Sequence, residues 1–106
     1  MRMVIIETKI FTNKIIELLK DDEYAELQQA LLRNPELGKK IGHGLRKVRW
    51  KRGGQGKRKS IRIIYFYCED KRQLYMLIAY PKNKQEELTA DQMKILKNIV
   101  DAELRK

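Results

Sequence analysis

The sequence predicts an α+β domain in which an N-terminal strand and a helical hairpin pack on a mainly antiparallel four-stranded sheet, followed by a C-terminal helix. Three observations carry that prediction: two stretches of helical periodicity before Pro35, β-branched and aromatic runs from Leu45 to Tyr80, and a capped helical pattern from Thr89 onward. With 106 residues, 42% of them hydrophobic and 36% charged, the chain holds one modest core, so residues 1–106 are read as a single domain.

MVIIE, Met3 to Glu7, is short, β-branched and terminal, which suits an edge strand. Phe11, Ile15, Ile16, Leu18 and Leu19 then fall at helical spacing until Asp21-Asp22 marks a break and a fresh N-terminus with acids in its first turn. The second helix, about Asp22 to Arg33, aligns Tyr24, Leu27, Leu31 and Leu32 and ends at Asn34-Pro35, because proline disfavours the α conformation in the residue before it. LGKKIGHG, Leu37 to Gly44, is glycine-rich and reads as a loop leading into the strand LRKVRW, Leu45 to Trp50. On that strand the period of two places Leu45, Lys47 and Arg49 on one face and Arg46, Val48 and Trp50 on the other.

GGQG at Gly53 to Gly56 suits a hairpin tip. The runs SIRIIYFYC, Ser60 to Cys68, and LYMLIAY, Leu74 to Tyr80, are nearly continuous in apolar character, as strands covered on both faces are. Thr89 followed by Gln92 has the capping-box spacing, and Met93, Leu96, Val100 and Leu104 form the helical stripe behind it, with Ile95 and Ile99 widening it.

Several function classes fall away. The N-terminal apolar run is too short for a signal peptide and no segment approaches a membrane span, which predicts a cytoplasmic protein. Cys68 is the only cysteine and sits inside an apolar strand, where a thiol is a small core residue. One histidine, His43 in a loop, and carboxylate pairs explained by helix termini give no metal centre, no aspartyl or glycosidase pair and no call for a cofactor. GGQG joins two strands and opens no helix, so it is no phosphate-binding loop.

The charge is informative. The net charge is +10, and residues 39 to 62 hold 11 Lys and Arg with no Asp or Glu, leaving 13 basic against 14 acidic residues in the rest of the chain. A single-sign block repels itself, and a polyanion partner explains it better than solubility does. Arg46, Lys47 and Arg49 on one strand, Arg62 with Tyr65 and Tyr67 on the next, Tyr80, Lys82 and Lys84 leaving the third, and Lys57, Arg58 and Lys59 in the loop are the candidates for a surface offering phosphate contacts and base stacking together. Each tyrosine also has a reading as a core aromatic with its hydroxyl at the rim, and Trp50 suits either role. Arg62 is the sharpest signal. Flanked by Ile61, Ile63 and Ile64, its guanidinium is costly to bury without an anion, which is either a distant carboxylate such as Glu7 or, as favoured here, a substrate phosphate.

The runs NPELGKKIGHGLRKVRW, GGQGKRKSIRIIYFY and YMLIAYPKNKQEELTADQMKILKNIV, in that order, resemble the HigB branch of the RelE/ParE superfamily, small bacterial toxins encoded beside an antitoxin. The resemblance covers about Asn34 to Val100. It implies a RelE-like fold and a metal-independent, ribosome-dependent mRNA endonuclease that cuts the message in the ribosomal A site by attack of a ribose 2′-hydroxyl, and so inhibits translation. It places the family's basic strand pair on Lys47 and Arg49, its strand arginine on Arg62 and its post-strand cation on Lys82. The partners it implies are mRNA, the ribosome with its 16S rRNA, and a HigA-like antitoxin of helix-turn-helix DNA-binding type. The RelE pattern has a further arginine and a tyrosine where this chain has Asn83 and Thr89, and the histidines of another HigB subgroup have no counterpart here. The general base is therefore unassigned, with Lys84 and Tyr80 as substitutes. Two other functions suit the same surface: a binder that blocks the ribosome or holds RNA without cutting it, and a ParE-like poison of DNA gyrase.

Overall fold

The computed structural model describes residues 2–51, 60–81 and 87–105. In chain order the elements are β1 (Val4–Glu7), α1 (Lys9–Leu18), α2 (Asp21–Arg33), β2 (Lys39–Gly42), β3 (Leu45–Lys51), β4 (Ser60–Cys68), β5 (Gln73–Pro81) and α3 (Ala90–Leu104). The α+β prediction holds, but the sheet has five strands in the order β1-β5-β4-β3-β2. β1 is the expected edge and runs parallel to β5, whereas the other neighbours are antiparallel.

The additional strand is β2, cut from the segment predicted as a loop. Its single large apolar residue, Ile41, hides it, since an edge strand needs little apolar surface. It turns into β3 through Gly42, His43 and Gly44 at φ of 122°, 54° and 77°. At Gly44 a Cβ would also lie 2.9 Å from the Phe66 ring, so glycine meets both the backbone and the packing requirement there.

The sheet is covered on both sides. Phe11, Ile15, Leu27 and Leu31 of the helical hairpin pack on Val48, Ile61, Ile63, Tyr65, Leu74 and Met76. Leu96 and Val100 of α3 pack on the other face, against Leu45, Ile64, Tyr75 and Leu77. The hydroxyl of Thr8 caps α1 by accepting from the Phe11 N–H at 3.0 Å, and it donates to the Leu77 carbonyl at 2.8 Å, tying the helix start to β5. The Thr89–Gln92 capping box forms as predicted, with both reciprocal bonds. Ile95 and Ile99, expected to widen the buried stripe of α3, are instead 59% and 42% exposed. At about 100° per residue they fall well away from the line through Met93, Leu96, Val100 and Leu104.

One irregularity decides which residues share a face. Ile64 pairs with Ile78 but Tyr65 pairs with Met76, so Leu77 is an extra residue in β5. Strict alternation from Leu74 and Met76 would carry Tyr80 to the α1–α2 face. The bulge reverses the parity and puts Tyr80 on the α3 face.

Candidate nucleic-acid interface

Residues directly opposite each other in an antiparallel pair share a face. The register therefore builds two adjacent basic rows on the α3 side of the sheet. In one, Lys39 of β2 lies opposite Lys47 of β3, which lies opposite Ile64. In the other, Arg49 of β3 lies opposite Arg62 of β4, which lies opposite Tyr80 of β5. Like charges in such positions repel, and two such pairs side by side form a surface that an anion would relax. α3 shields the far end of this face, and the segment before it, Glu87 and Leu88, borders the rows.

Lys39 and Arg49 are exposed and Lys47 is half-buried, but Arg62 is only 7% exposed. Among the described residues its Nε and Nη1, which are buried, have no hydrogen-bond partner, nor has the hydroxyl of Tyr80, itself 8% exposed. The carboxylate considered for Arg62 from the sequence, Glu7, is engaged on the other side of the sheet, where it accepts from the hydroxyls of Thr12 and Tyr24. Burial pushes the Tyr80 phenol above its ordinary pKa; the positive charge of Arg62 opposes the rise and the negative charge of Glu87 adds to it. Tyr80 therefore stays protonated at neutral pH and serves as a donor. The expectation that it might substitute as a general base has no electrostatic support.

The rows border an open hollow of about 880 Å³ lined by Lys39, Lys40, Lys47, Arg49 and Glu87 among others. A second, of about 40 Å³, lies between Lys47, Tyr80, Glu87 and Met93. Among the described residues no group of three His, Cys, Asp or Glu is placed to hold a metal ion, and no helix is long and apolar enough to cross a membrane.

The sequence-derived candidates divide. Lys47, Arg49, Arg62 and Tyr80 come together on one face. Arg46 and Tyr65 are opposite each other on the other face, under α1 and α2. Tyr65 is fully buried; its hydroxyl donates to the Pro35 carbonyl at 2.7 Å and accepts from the Gly38 N–H at 2.8 Å. Arg46 donates to the Gly38 carbonyl at 2.7 Å and the Glu36 carbonyl at 3.3 Å. These two residues anchor the segment before β2 and do not reach the basic rows. Trp50 packs on the α1–α2 core and lines a hollow beside α2, and it also lines the larger hollow with Lys39, Lys47 and Arg49. Lys57, Arg58, Lys59, Lys82 and Lys84 lie outside the described residues.

Sequence reasoning missed Lys39 and Glu87. Lys39 was hidden with its strand. Glu87 belongs to one of the carboxylate pairs that a helix terminus explains, but the capping box at Thr89 signals that it precedes the helix.

The arrangement offers exposed cations to an anion, with buried donors that have no partner among the described residues behind them and a carboxylate at the border. Comparison with protein families matches residues 3–105 to the RelE toxin of the RelE/RelB toxin–antitoxin system. A match over nearly the whole chain, on a fold with these basic rows, shows that this protein belongs to the RelE toxin family.

Proposed function

We propose that this toxin is a ribosome-dependent mRNA endonuclease of the HigB type, which cuts the message in the ribosomal A site without a metal and so stops translation. The observation that carries the reading is Arg62: a buried guanidinium with two N–H groups that have no partner among the described residues, beside a buried phenol in the same state. Such donors are expensive to maintain unless an anion meets them. RNA cleavage through the 2′-hydroxyl supplies one whose charge grows during reaction. As the 2′ oxygen bonds to phosphorus, the phosphate becomes pentacoordinate and its non-bridging oxygens gain negative charge. Donors already fixed in place stabilise that charge without reorganisation.

In this reading Arg62 and the Tyr80 hydroxyl face the scissile phosphate and Lys47 neutralises it from the adjoining row. Lys39 and Arg49 hold flanking phosphates together with the loop cations Lys57, Arg58 and Lys59. Lys82 and Lys84, just beyond Tyr80 in the chain, offset the negative charge that builds on the leaving 5′ oxygen. Membership of a toxin–antitoxin family implies a cognate antitoxin, and a HigA-like, helix-turn-helix protein is the partner proposed.

Purified toxin mixed with translating ribosomes on a defined message tests this. The expected product is a message cut within the A-site codon, ending in a 2′,3′-cyclic phosphate. Substitution of Arg62 by Ala should slow cutting by a factor of about 10² or more with ribosome binding retained. Intact message with stalled ribosomes would make the protein a non-catalytic binder, and intact message with impaired supercoiling would make it a gyrase poison.

A further inference from the structure

Attack by a 2′-hydroxyl needs a group to take its proton, and most of the basic face cannot. Lysine ammonium and arginine guanidinium groups carry donors and no acceptor, and Tyr80 is held protonated by its burial. Glu87 is the one carboxylate lining either hollow of the basic face among the described residues. It lines both hollows together with Lys47 and the smaller together with Tyr80. Its position is set from two sides. Leu88, the next residue, packs half-buried on the α3-side core, and the Thr89–Gln92 box fixes where the helix begins.

Geometry strengthens the point. In RNA the attacking 2′-hydroxyl and the phosphate it attacks are neighbours, so a base must stand next to the cation that holds the phosphate. Lys47 and Glu87 meet that requirement, and no other described cation of the rows shares both hollows with an acid.

We propose that Glu87 is the general base of the cleavage, an assignment that rests on the endonuclease reading above. Its carboxylate takes the 2′-hydroxyl proton as the bond from the 2′ oxygen to phosphorus forms and the bond from phosphorus to the 5′ oxygen breaks. The 5′ oxygen leaves with a proton taken from solvent, and the carboxyl returns its own to solvent, so no proton is consumed. Among the described residues, the charged groups that line these hollows with Glu87 are Lys39 and Lys40 from β2 and Lys47 and Arg49 from β3, and the Tyr80 phenol from β5, with Arg62 behind it, lines the smaller.

The test is single-turnover cleavage on translating ribosomes, with excess toxin, followed across about pH 5 to 9. Glu87 is exposed, so Glu87→Gln should fold as the parent does. Its cleavage should fall by about 10² or more at neutral pH, with ribosome binding unchanged. The parent rate should rise with pH along an acid limb of unit slope that Glu87→Gln lacks, and Glu87→Asp should recover part of the loss. A message with a 5′-bridging sulfur at the scissile position, whose leaving group needs no proton, should leave the Glu87→Gln defect in place. If Glu87→Gln cuts at the parent rate with the same pH profile, or if the sulfur-substituted message erases its defect, Glu87 is not the base, although the endonuclease reading stands. If the parent leaves the message intact, both fall.

Discussion

Replacing Arg62 by methionine should make the protein more stable and less active at once. The buried Nε and Nη1 have no partner among the described residues, and each unsatisfied buried donor costs about 1–3 kcal/mol, more when charged. Replacing buried ionic groups by apolar residues of similar volume is neutral or gains up to about 4 kcal/mol in measured cases. The shorter methionine returns up to about 1 kcal/mol of that gain as imperfect packing. The net expectation is a stabilisation of about 1–3 kcal/mol. For 106 residues, with an unfolding entropy of about 2.1 cal/mol/K per residue, this corresponds to a rise in Tm of about 4–14 °C. Urea titration with an unchanged slope reads the first quantity and calorimetry the second. Anions provide the control. Inorganic phosphate that binds the folded parent at Arg62 should stabilise it by mass action and should stabilise Arg62→Met less. A variant less stable than the parent by more than about 1 kcal/mol would mean that Arg62 is satisfied internally, and the argument that its partner is a substrate phosphate would fail.

Tyr65→Phe leaves the buried Gly38 N–H without its acceptor; it should cost about 1–3 kcal/mol in a urea titration while leaving cleavage per folded molecule intact. Equal stability would remove Tyr65 from the anchor of β2. Lys47→Ala should do the reverse, slowing cleavage about tenfold or more with stability within about 0.5 kcal/mol of the parent, and full activity would detach the basic row from the reaction. Stability should be flat through neutral pH and fall above about pH 10. Burial raises the phenol pKa values of Tyr65, Tyr75 and Tyr80 from 10.0, so the unfolded chain loses those protons first and gains on the folded state as pH rises. The fall for each phenol is at most about 1.4 kcal/mol per pH unit, and Tyr65→Phe should flatten it, as chemical denaturation at several pH values would show. Binding to ribosomes should weaken steeply between about 50 and 200 mM salt, and a flat response would count against any nucleic-acid partner.

Much of the fold was legible because most elements carry their own signal. The β-branched runs, the helical stripes and the Thr89 cap are local, and the matching elements form where expected. The failures are where local pattern and tertiary placement part. β2 has one apolar residue and glycines on both sides, so nothing in KKIG distinguishes a strand from a loop; it becomes a strand because β3 offers it an unpaired edge. The sides of Arg46 and Tyr65 follow from strand parity once pairing is known. Arg46 was already on the face opposite Lys47 by alternation, and register with Tyr65 then takes both beneath the helices. Tyr80 illustrates the opposite case. Simple alternation sends it to the wrong face, and only the extra residue at Leu77, a tertiary feature tied to the Thr8 cap, brings it beside Arg62. Glu87 was visible as a residue but its neighbours were not, since Lys47 is 40 positions earlier in the chain.

The basic rows divide labour by depth. Lys39 and Arg49 are exposed, so their attraction for a phosphate backbone is screened by salt and adds to affinity and encounter rate. Arg62 and Tyr80 are buried on rigid central strands, where screening is weak and donors need not reorganise as charge builds. Exposed cations on a mobile tail would supply the first property and never the second. That is why single-sign charge is rooted in the middle of a hydrophobic sheet, despite the stability it costs. The packing of Ile61 and Ile63 beneath the sheet fixes the β4 backbone and the backbone fixes Arg62, and in the proposed reaction Arg62 would stabilise a phosphate only to the extent that it cannot move away.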